Sequence, residues 1–343
     1  MIKSAPGSFG LPRVEFGHAP TPVEEISEHQ ELWGGPIILK REDMIDELGC
    51  GNKLRRLEYV VAHALEQGVD TLVSYGSQRS NQTKAIAVCA ARASLDCHLI
   101  FGGDTQERPV DANGNYLLTR LSGGTVEWFE RTPWNEMEAL AETRITTLRS
   151  QGKRPYLVPS GAGMWPGILG TYDMAVELNE QLRVRGIRHA AVIVPVGSAS
   201  TVTGIQLANL INGYGWVTVG VCVSAPKEVG IAGCERLSSM IPANIMPRGN
   251  SPKDFASSIT WYDEVPNRGY DTFTPEELAA MASYFRASGV IFEPNYMLKC
   301  CRALPELRKS DIFHRDLPCV LIHTGGHFSI FDMPHSTKGF ADW

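Results

Sequence analysis

The sequence predicts an α/β protein with mostly parallel sheets, and three observations support this prediction. Short apolar runs alternate with amphipathic stretches along the chain, which is typical of strands that alternate with helices. Several runs end in glycine, at the carboxyl ends of strands where open parallel sheets gather their ligands. The chain has 343 residues, which at about 150 residues per domain suggests two domains.

The predicted strands are PIILK at 36–40, DTLVSYG at 70–76, DCHLIFGG at 96–103, PYLVPSG at 155–161, HAAVIVPVG at 189–197 and PCVLIHTGG at 318–326. A helix is predicted from Leu54 to Gly68, because apolar residues recur at spacings of three and four and a glycine suited to a C-cap follows. A second helix is predicted from Asn81. The stretch from Ala225 to Asn267 is dense in Pro, Gly and Ser and is predicted to be irregular, with a possible domain boundary.

Composition excludes several classes of function. The formal net charge of -6 provides no basic field to attract nucleic acid or an anionic membrane. No stretch approaches the roughly 18 apolar residues of a membrane span, so we expect a cytoplasmic protein. The eight cysteines contain no C-x-x-C pair, and Cys300 adjoins Cys301, so we expect free buried thiols.

One lysine stands in an unfavourable place. Lys53 closes the sequence Gly49-Cys50-Gly51-Asn52-Lys53 just before a predicted helix, where a cation opposes the helix dipole. A lysine amine that is desolvated near positive charge becomes a competent nucleophile for imine formation. By itself the motif favours a solvated surface lysine in a glycine-rich turn.

Two further loops follow predicted strands. Gly76–Gln82 joins a strand to a helix, and its Ser80 and Asn81 suit either helix capping or hydrogen bonding to a ligand. The second loop combines small hydroxyl residues with a helix start, which favours a phosphate site without a basic residue; it comprises Gly197, Ser198, Ala199, Ser200 and Thr201. A tight turn with a simple cap is the alternative.

Other patterns exclude competing sites. The chain has neither a Walker A lysine nor a full G-x-G-x-x-G, and no G-x-S-x-G elbow, so nucleotide binding and a hydrolase triad are disfavoured. His323 and His327 are four positions apart with two glycines among the intervening residues, which disfavours a helical metal pair, and no metal is predicted. Thr324 at a strand end is placed to hydrogen-bond a heterocyclic nitrogen.

Taken together, these motifs resemble the family of 1-aminocyclopropane-1-carboxylate (ACC) deaminases and D-cysteine desulfhydrases. The resemblance is carried by the stretch from KRED through GNKLRRLEYVVAHALEQGVDTLVSYGSQRSNQTK, and by PSGAGMWPGILG, VGSASTVTG, RGYDTFTPEE, FEPNYMLK and VLIHTGG. It implies a pyridoxal 5'-phosphate enzyme with the tryptophan synthase β-subunit fold and a homodimeric state. That fold has two three-layer α/β/α domains, here expected at 1–55 with 166–343 (large, binding the cofactor) and at 56–165 (small, closing over the substrate).

The resemblance also implies roles for individual residues. Lys53 would form an imine with the cofactor and move protons at the substrate, and Asn81 would hydrogen-bond the ring hydroxyl. Ser80 would face the substrate carboxylate or act on the opposite face, and the phosphate would lie on the loop at 197–201. The residues expected to approach the substrate are Tyr270, Tyr296, Arg79, Gln82, Asn81 and Trp165.

Three positions depart from the family. Met297 stands where ACC deaminases carry a glutamate and where desulfhydrases carry a hydroxyl, and Leu298 replaces a glycine. Thr324 fits the desulfhydrases better than the deaminases. Arg79 replaces a frequent glutamine and is either a solvated or ion-paired side chain, or a fork for a second acidic group on the substrate.

The leading hypothesis is a lyase that performs α,β-elimination on a small amino acid and releases a 2-oxo acid and ammonia. With Thr324 rather than a carboxylate near the pyridine nitrogen, that nitrogen would stay unprotonated, which favours loss of a β-leaving group over long-lived carbanion chemistry. The alternatives are ACC ring opening, β-replacement on the same scaffold, and a cofactor-binding protein without catalysis.

Overall fold

The computed structural model describes residues 4–103, 108–265 and 273–332. In chain order the strands are β1 (Ser4–Pro6), β2 (Pro12–Val14), β3 (Val23–Ile26), β4 (Ile37–Arg41), β5 (Thr71–Gly76), β6 (Asp96–Gly103), β7 (Thr125–Glu130), β8 (Pro155–Leu157), β9 (Ala191–Val196), β10 (Val217–Cys222), β11 (Thr260–Tyr262) and β12 (Cys319–His323). The α-helices are α1 (Gln30–Trp33), α2 (Lys53–Glu66), α3 (Asn81–Arg92), α4 (Gly114–Leu121), α5 (Met137–Ser150), α6 (Ile168–Val184), α7 (Ser200–Asn212), α8 (Lys227–Ser238), α9 (Pro252–Ser257), α10 (Pro275–Ser288) and α11 (Met297–Lys309).

The chain forms two compact units. The first is drawn from the described residues of Met1–Gly17, Asp46–Gly170 and Phe328–Pro334, and the second from those of His18–Ile45 and Thr171–His327. The division at residues 55/56 and 165/166 stays a prediction.

The first unit is built on a four-stranded parallel sheet in the order β7-β6-β5-β8, with a small antiparallel pair of β1 and β2. Every residue of β5 is buried, so both faces of the sheet are covered. Val73 and Tyr75 on one face pack with Ile100 of β6 and with α5. Helix α3 contacts β5 and β6 as well.

The second unit is built on a six-stranded sheet in the order β11-β10-β9-β12-β4-β3, in which only the β3–β4 pair is antiparallel. Alternate residues of β9, such as Ile193, pack with α11 in the core of this unit. The intervening Val192 and Val194 are also fully buried, and α7 contacts β9 and β10. Because β4, β9, β10 and β12 are parallel, their carboxyl ends meet at one edge of this sheet.

The predicted α/β class with mostly parallel sheets is confirmed. The prediction that Ala225 to Asn267 is irregular is wrong, since α8, α9 and β11 lie there. Gly230 lies inside α8 because a side chain at that position would come 3.0 Å from the Trp261 ring. Ser251 caps α9 in a capping box with Pro at the first turn. In this stretch Gly230 thus allows close packing inside a helix, and the proline lies in the first turn of α9 rather than in a loop. Among the described residues, no helix combines the length and apolar character needed to cross a membrane.

Candidate active site

The predicted lysine lies at the first residue of α2, at the end of a tightly held turn. Gly49 and Gly51 adopt left-handed conformations with φ of 59° and 60°, which glycine reaches without strain. The Asp46 carboxylate accepts the N–H of Cys50 at 2.7 Å, and the N–H of Leu54 donates to the Gly51 carbonyl at 3.0 Å. The turn therefore places Lys53 at the first residue of the helix.

The Lys53 amine shares a hydrogen-bond acceptor with a buried arginine. Its Nζ donates to Oδ1 of Asn52 at 3.3 Å, and Nη2 of Arg56 lies 3.4 Å from the same oxygen. Asn52 is fully buried and Arg56 is only 1% exposed. A fixed cation thus lies beside the amine, which favours binding of an anionic group at this helix end.

The turn between β5 and α3 presents buried polar atoms that lack partners within the described structure. Ser80 is the N-cap of α3, and its Oγ accepts the Thr83 N–H at a long 3.4 Å. Nδ2 of Asn81 donates to the Cys50 carbonyl at 2.9 Å, which ties this turn to the lysine turn. Among residues 4–103, 108–265 and 273–332, its buried Oδ1 has no hydrogen-bond partner, and neither have the buried Oγ of Ser77 and Oε1 of Gln78. Buried polar groups are almost always satisfied, so these atoms point to a polar ligand.

Two other predicted substrate residues of this turn have structural contacts. Both ends of the Gln82 amide are engaged, because Nε2 donates to the Pro159 carbonyl at 2.7 Å and Oε1 accepts the Gly161 N–H. The Arg79 carbonyl accepts from Nδ2 of Asn115 at 2.8 Å. The substrate roles of Gln82 and Arg79 stay predictions.

The glycines around Trp165 permit close packing of the segment that leads into α6. A side chain at Gly170 would lie 2.0 Å from the Arg55 carbonyl oxygen, and one at Gly167 would lie 2.8 Å from that of Ala162. This segment therefore passes directly against the helix that begins with Lys53. Trp165 is half-buried there, and its predicted substrate contact stays a prediction.

In the second unit, the loop from Gly197 to Thr201 joins β9 to α7. Ala199 adopts a left-handed conformation with φ of 62°, and the hydroxyls of Ser198 and Ser200 lie 2.9 Å apart. The first turn of α7 presents N–H groups that have no acceptor within the helix. Hydroxyls, N–H groups and the positive end of the helix dipole converge at this loop, which suits a phosphate.

Tyr296 lies against the same loop. A side chain at Gly197 would come 3.1 Å from the Tyr296 ring, so glycine is needed there for the ring to approach. The carboxylate of Glu293 holds Tyr296 in place. It accepts N–H groups from Asn295 at 2.8 Å, from Tyr296 at 2.9 Å and from Met297 at 3.0 Å. Burial raises the pKa of the Glu293 carboxyl to about 7.

Thr324 follows β12 at the same sheet edge and contacts Met297. Its backbone N–H lies 3.3 Å from the Met297 sulfur and its hydroxyl 3.5 Å from it. Both residues are buried. A thioether sulfur is a weak acceptor with no proton and no charge, so Met297 leaves the Thr324 hydroxyl proton available for a stronger acceptor.

A buried histidine fixes the turn after Thr324. The Gly325 N–H donates to Nδ1 of His323 at 3.2 Å, and Nε2 lies 2.8 Å from the Ile291 carbonyl. Burial lowers the pKa of His323. The Gly325 N–H and the Ile291 carbonyl fit a neutral ring with its proton on Nε2, and Oδ1 of Asp43 lies 3.5 Å from Nδ1. These contacts hold the turn that follows Thr324.

The structure thus brings together predicted residues within each unit. In the first unit, Asn81 binds the turn that leads to Lys53, and Ser80 directly precedes Asn81. In the second unit, Gly197 lies against the ring of Tyr296. Tyr270 lies outside the described residues. The sequence did not predict the supporting residues, namely Asn52, Arg56, Glu293 and His323. A charged residue that directly follows an apolar run inside a site motif, as Glu293 does in FEPNYMLK, is the signal that could have found one of them.

Comparison with known proteins agrees with these features. Residues 14–325 match the family described as pyridoxal-phosphate dependent enzyme. The chain is 32% identical to D-cysteine desulfhydrase of Serratia proteamaculans (strain 568) over 325 residues, which cover 94% of this chain and 96% of the relative. It is similar to a crystal structure of an ACC deaminase homologue, with a TM-score of 0.79, 26% identity and 94% of each chain covered. Maize serine racemase shares the fold, with a TM-score of 0.65, 17% identity and coverage of 95% of this chain and 92% of that one.

Proposed function

Because the chain belongs to the family of pyridoxal-phosphate dependent enzymes, we propose that it is a lyase performing α,β-elimination on a small β-substituted alanine. The products are a 2-oxo acid, ammonia and the β-leaving group. The observation that carries this proposal is the contact of the Thr324 hydroxyl with the sulfur of Met297, the residue that stands where ACC deaminases carry a glutamate, so that two neutral side chains meet at this point. The desulfhydrase relative supports a sulfur-containing substrate.

The described residues fit pyridoxal phosphate. The chain offers a primary amine at Lys53, a buried Asn81 Oδ1 that lacks a partner among the described residues, and a loop at 197–201 with hydroxyls at a helix start. We propose that Lys53 holds the cofactor, that Asn81 contacts its ring hydroxyl, and that the loop binds its phosphate. When bound, pyridoxal phosphate supplies an electron sink for the electrons released at the substrate Cα.

The protein residues would then select which substrate bonds break. In its free, neutral form Nζ of Lys53 would take the proton from Cα, and the electron pair of the Cα–H bond would form the Cα–Cβ double bond as the Cβ–S bond breaks. The thiolate leaves with the electron pair of the Cβ–S bond, and hydrolysis gives the 2-oxo acid and ammonia. Ser80 binds the substrate carboxylate, and Tyr296 approaches the substrate from its Glu293-held position.

Thr324 contributes through its single proton. With the cofactor bound, the hydroxyl would donate to the heterocyclic nitrogen, because a pyridine-type nitrogen is a stronger acceptor than the Met297 sulfur. A hydroxyl is too weak an acid to transfer its proton, so that nitrogen would stay unprotonated. This arrangement favours prompt loss of the leaving group over ring opening of ACC, which has no α-proton for Lys53 to take.

The proposal is tested by product release from a panel of amino acids. Purified protein is incubated with both enantiomers of cysteine, with other β-substituted alanines and with ACC, and 2-oxo acid and ammonia are measured. We expect 2-oxo acid from at least one β-substituted alanine, none from ACC, and none from the Lys53→Ala variant. Absence of 2-oxo acid from every β-substituted alanine, or ammonia from ACC alone, contradicts the proposal.

We also propose a cytoplasmic, homodimeric protein. All eight cysteines are free and buried, which supports a reducing compartment. The dimer rests on the family resemblance. Light scattering during gel filtration measures the mass directly, and a mass equal to one chain of 37.7 kDa contradicts a homodimer.

A further inference from the structure

A buried lysine on α3 contacts the turn that carries Lys53. Lys84 is completely inaccessible to solvent. Its Nζ donates to the carbonyls of Leu48 at 2.8 Å and Gly49 at 2.7 Å. These two residues begin the turn that ends at Lys53, so the hydrogen bonds of Lys84 fix the start of the segment that leads to Lys53.

Asn81 completes this set of contacts. Its Nδ2 binds the next carbonyl, that of Cys50, at 2.9 Å. Asn81 and Lys84 are three residues apart and share one helix face. Three consecutive carbonyls of the turn are therefore bound by two side chains of α3. The left-handed glycines of the turn have wide conformational freedom, so these contacts restrict its conformation.

The charge of Lys84 is compensated locally. Burial lowers its pKa to about 8, while the nearby Cys50 and Asp46 act in the opposite direction. Nζ also lies 5.2 Å from the centroid of the Phe328 ring, within the range of a cation–π contact. Burying a cation is unfavourable unless its N–H groups donate hydrogen bonds, and here they donate to two carbonyls of the turn that leads to Lys53.

We infer that Lys84 is a positioning residue for Lys53: through the Leu48 and Gly49 carbonyls, it holds the Lys53 turn in register with Ser80 and Asn81 at the start of α3. This inference rests on the proposed attachment of the cofactor to Lys53. Lys84 itself contacts the turn and has no proposed contact with the substrate.

The test compares holoenzymes of the unmodified protein, Lys84→Met, Lys84→Arg and a matched control, Lys40→Met. Lys40 is a second completely buried lysine that donates to a main-chain carbonyl, that of Thr21 at 2.9 Å, and it belongs to the unit that does not contain Lys53. Cofactor release during dialysis is followed by the visible absorption of the bound cofactor. Borohydride reduction and peptide mass spectrometry report how much cofactor is fixed on Lys53.

We expect Lys84→Met to release the cofactor at least about tenfold faster, as misplacement of a reacting group by about 1 Å has effects of this size or larger. Its Lys53 label should fall in parallel. Lys84→Arg keeps charged donors and should recover most of both signals. Lys40→Met should lose thermal stability but keep the unmodified release rate. Should Lys84→Met not fold, Lys84→Gln, which keeps an N–H donor without the charge, is expected to release the cofactor at least about threefold faster.

Folded Lys84→Met or Lys84→Gln protein that retains the cofactor as the unmodified protein does overturns the inference. So does an equal loss in Lys40→Met, because the effect is then one of general stability. If borohydride labels no Lys53 peptide in the unmodified protein, the proposed function fails first. If the Lys53 peptide is labelled in the unmodified protein, and the Lys84 variants show the same labelling and the same release rate, only this inference is overturned.

Discussion

The buried carboxylate of Glu293 gives a prediction of known sign and size. Glu293 is 2% exposed, and burial raises its pKa from 4.5 to about 7. Each pKa unit corresponds to about 1.36 kcal/mol, so keeping this group ionised in the folded protein costs on the order of 3 kcal/mol. The folded state therefore binds the proton more tightly than the unfolded state. Stability contributed by this group is greatest below about pH 4.5 and falls as the pH rises to about 7.

The Glu293→Gln variant removes the titration and keeps one carbonyl oxygen for the Tyr296 and Met297 N–H groups. Denaturant midpoints of both proteins, measured from about pH 4 to about pH 8, give the difference in free energy of unfolding at each pH. Relative to the variant, the unmodified protein should lose about 3 kcal/mol across this range and then stay level. A difference that is constant with pH, or that grows in the opposite direction, refutes the reasoning about the buried carboxylate.

Four further predictions follow from single contacts. Gly170→Ala should destabilise the protein by about 3 kcal/mol or more in denaturant unfolding, since its Cβ would lie 2.0 Å from the Arg55 carbonyl; an unchanged midpoint contradicts this packing. Ser80→Ala should cost about 1 kcal/mol of stability as a lost cap, but it should lower kcat/KM by a factor that corresponds to a much larger free energy. If the two free energies are equal, Ser80 acts only as a helix cap. Because burial lowers the pKa of Lys84 from 10.5 to about 8, stability should rise between these pH values, and Lys84→Met should lack this rise. A thiol reagent should react with none of the cysteines in the native protein and with all eight after denaturation, whereas rapid native labelling contradicts their burial.

The sequence predicted the local parts of the site because their signals are local. Glycines beside Lys53 and the hydroxyl residues after the run AAVIVPV mark turns between strands and helices, and such turns lie at the carboxyl ends of parallel strands. The α/β class followed from the same alternation of apolar runs and amphipathic stretches.

The supporting contacts could not be predicted in this way. Lys84 binds carbonyls more than 30 residues before it in the chain, and neither its charge nor its helical position indicates those partners. A lysine in a helix is usually exposed, and nothing in the sequence of α3 indicates that Lys84 is completely buried. The glycine content made the prediction for residues 225–267 wrong. A glycine that allows close helix packing, such as Gly230, cannot be distinguished in the sequence from a glycine that lies in a loop.

The identity of the lysine that holds the cofactor tests the central claim most directly. Holoenzyme is reduced with borohydride, digested and mapped by mass spectrometry, beside the visible absorption spectrum of the Lys53→Ala variant. We expect the cofactor on the peptide that contains Lys53, and no visible cofactor band in Lys53→Ala. A cofactor fixed on any other lysine, or a band that persists in Lys53→Ala, contradicts the account.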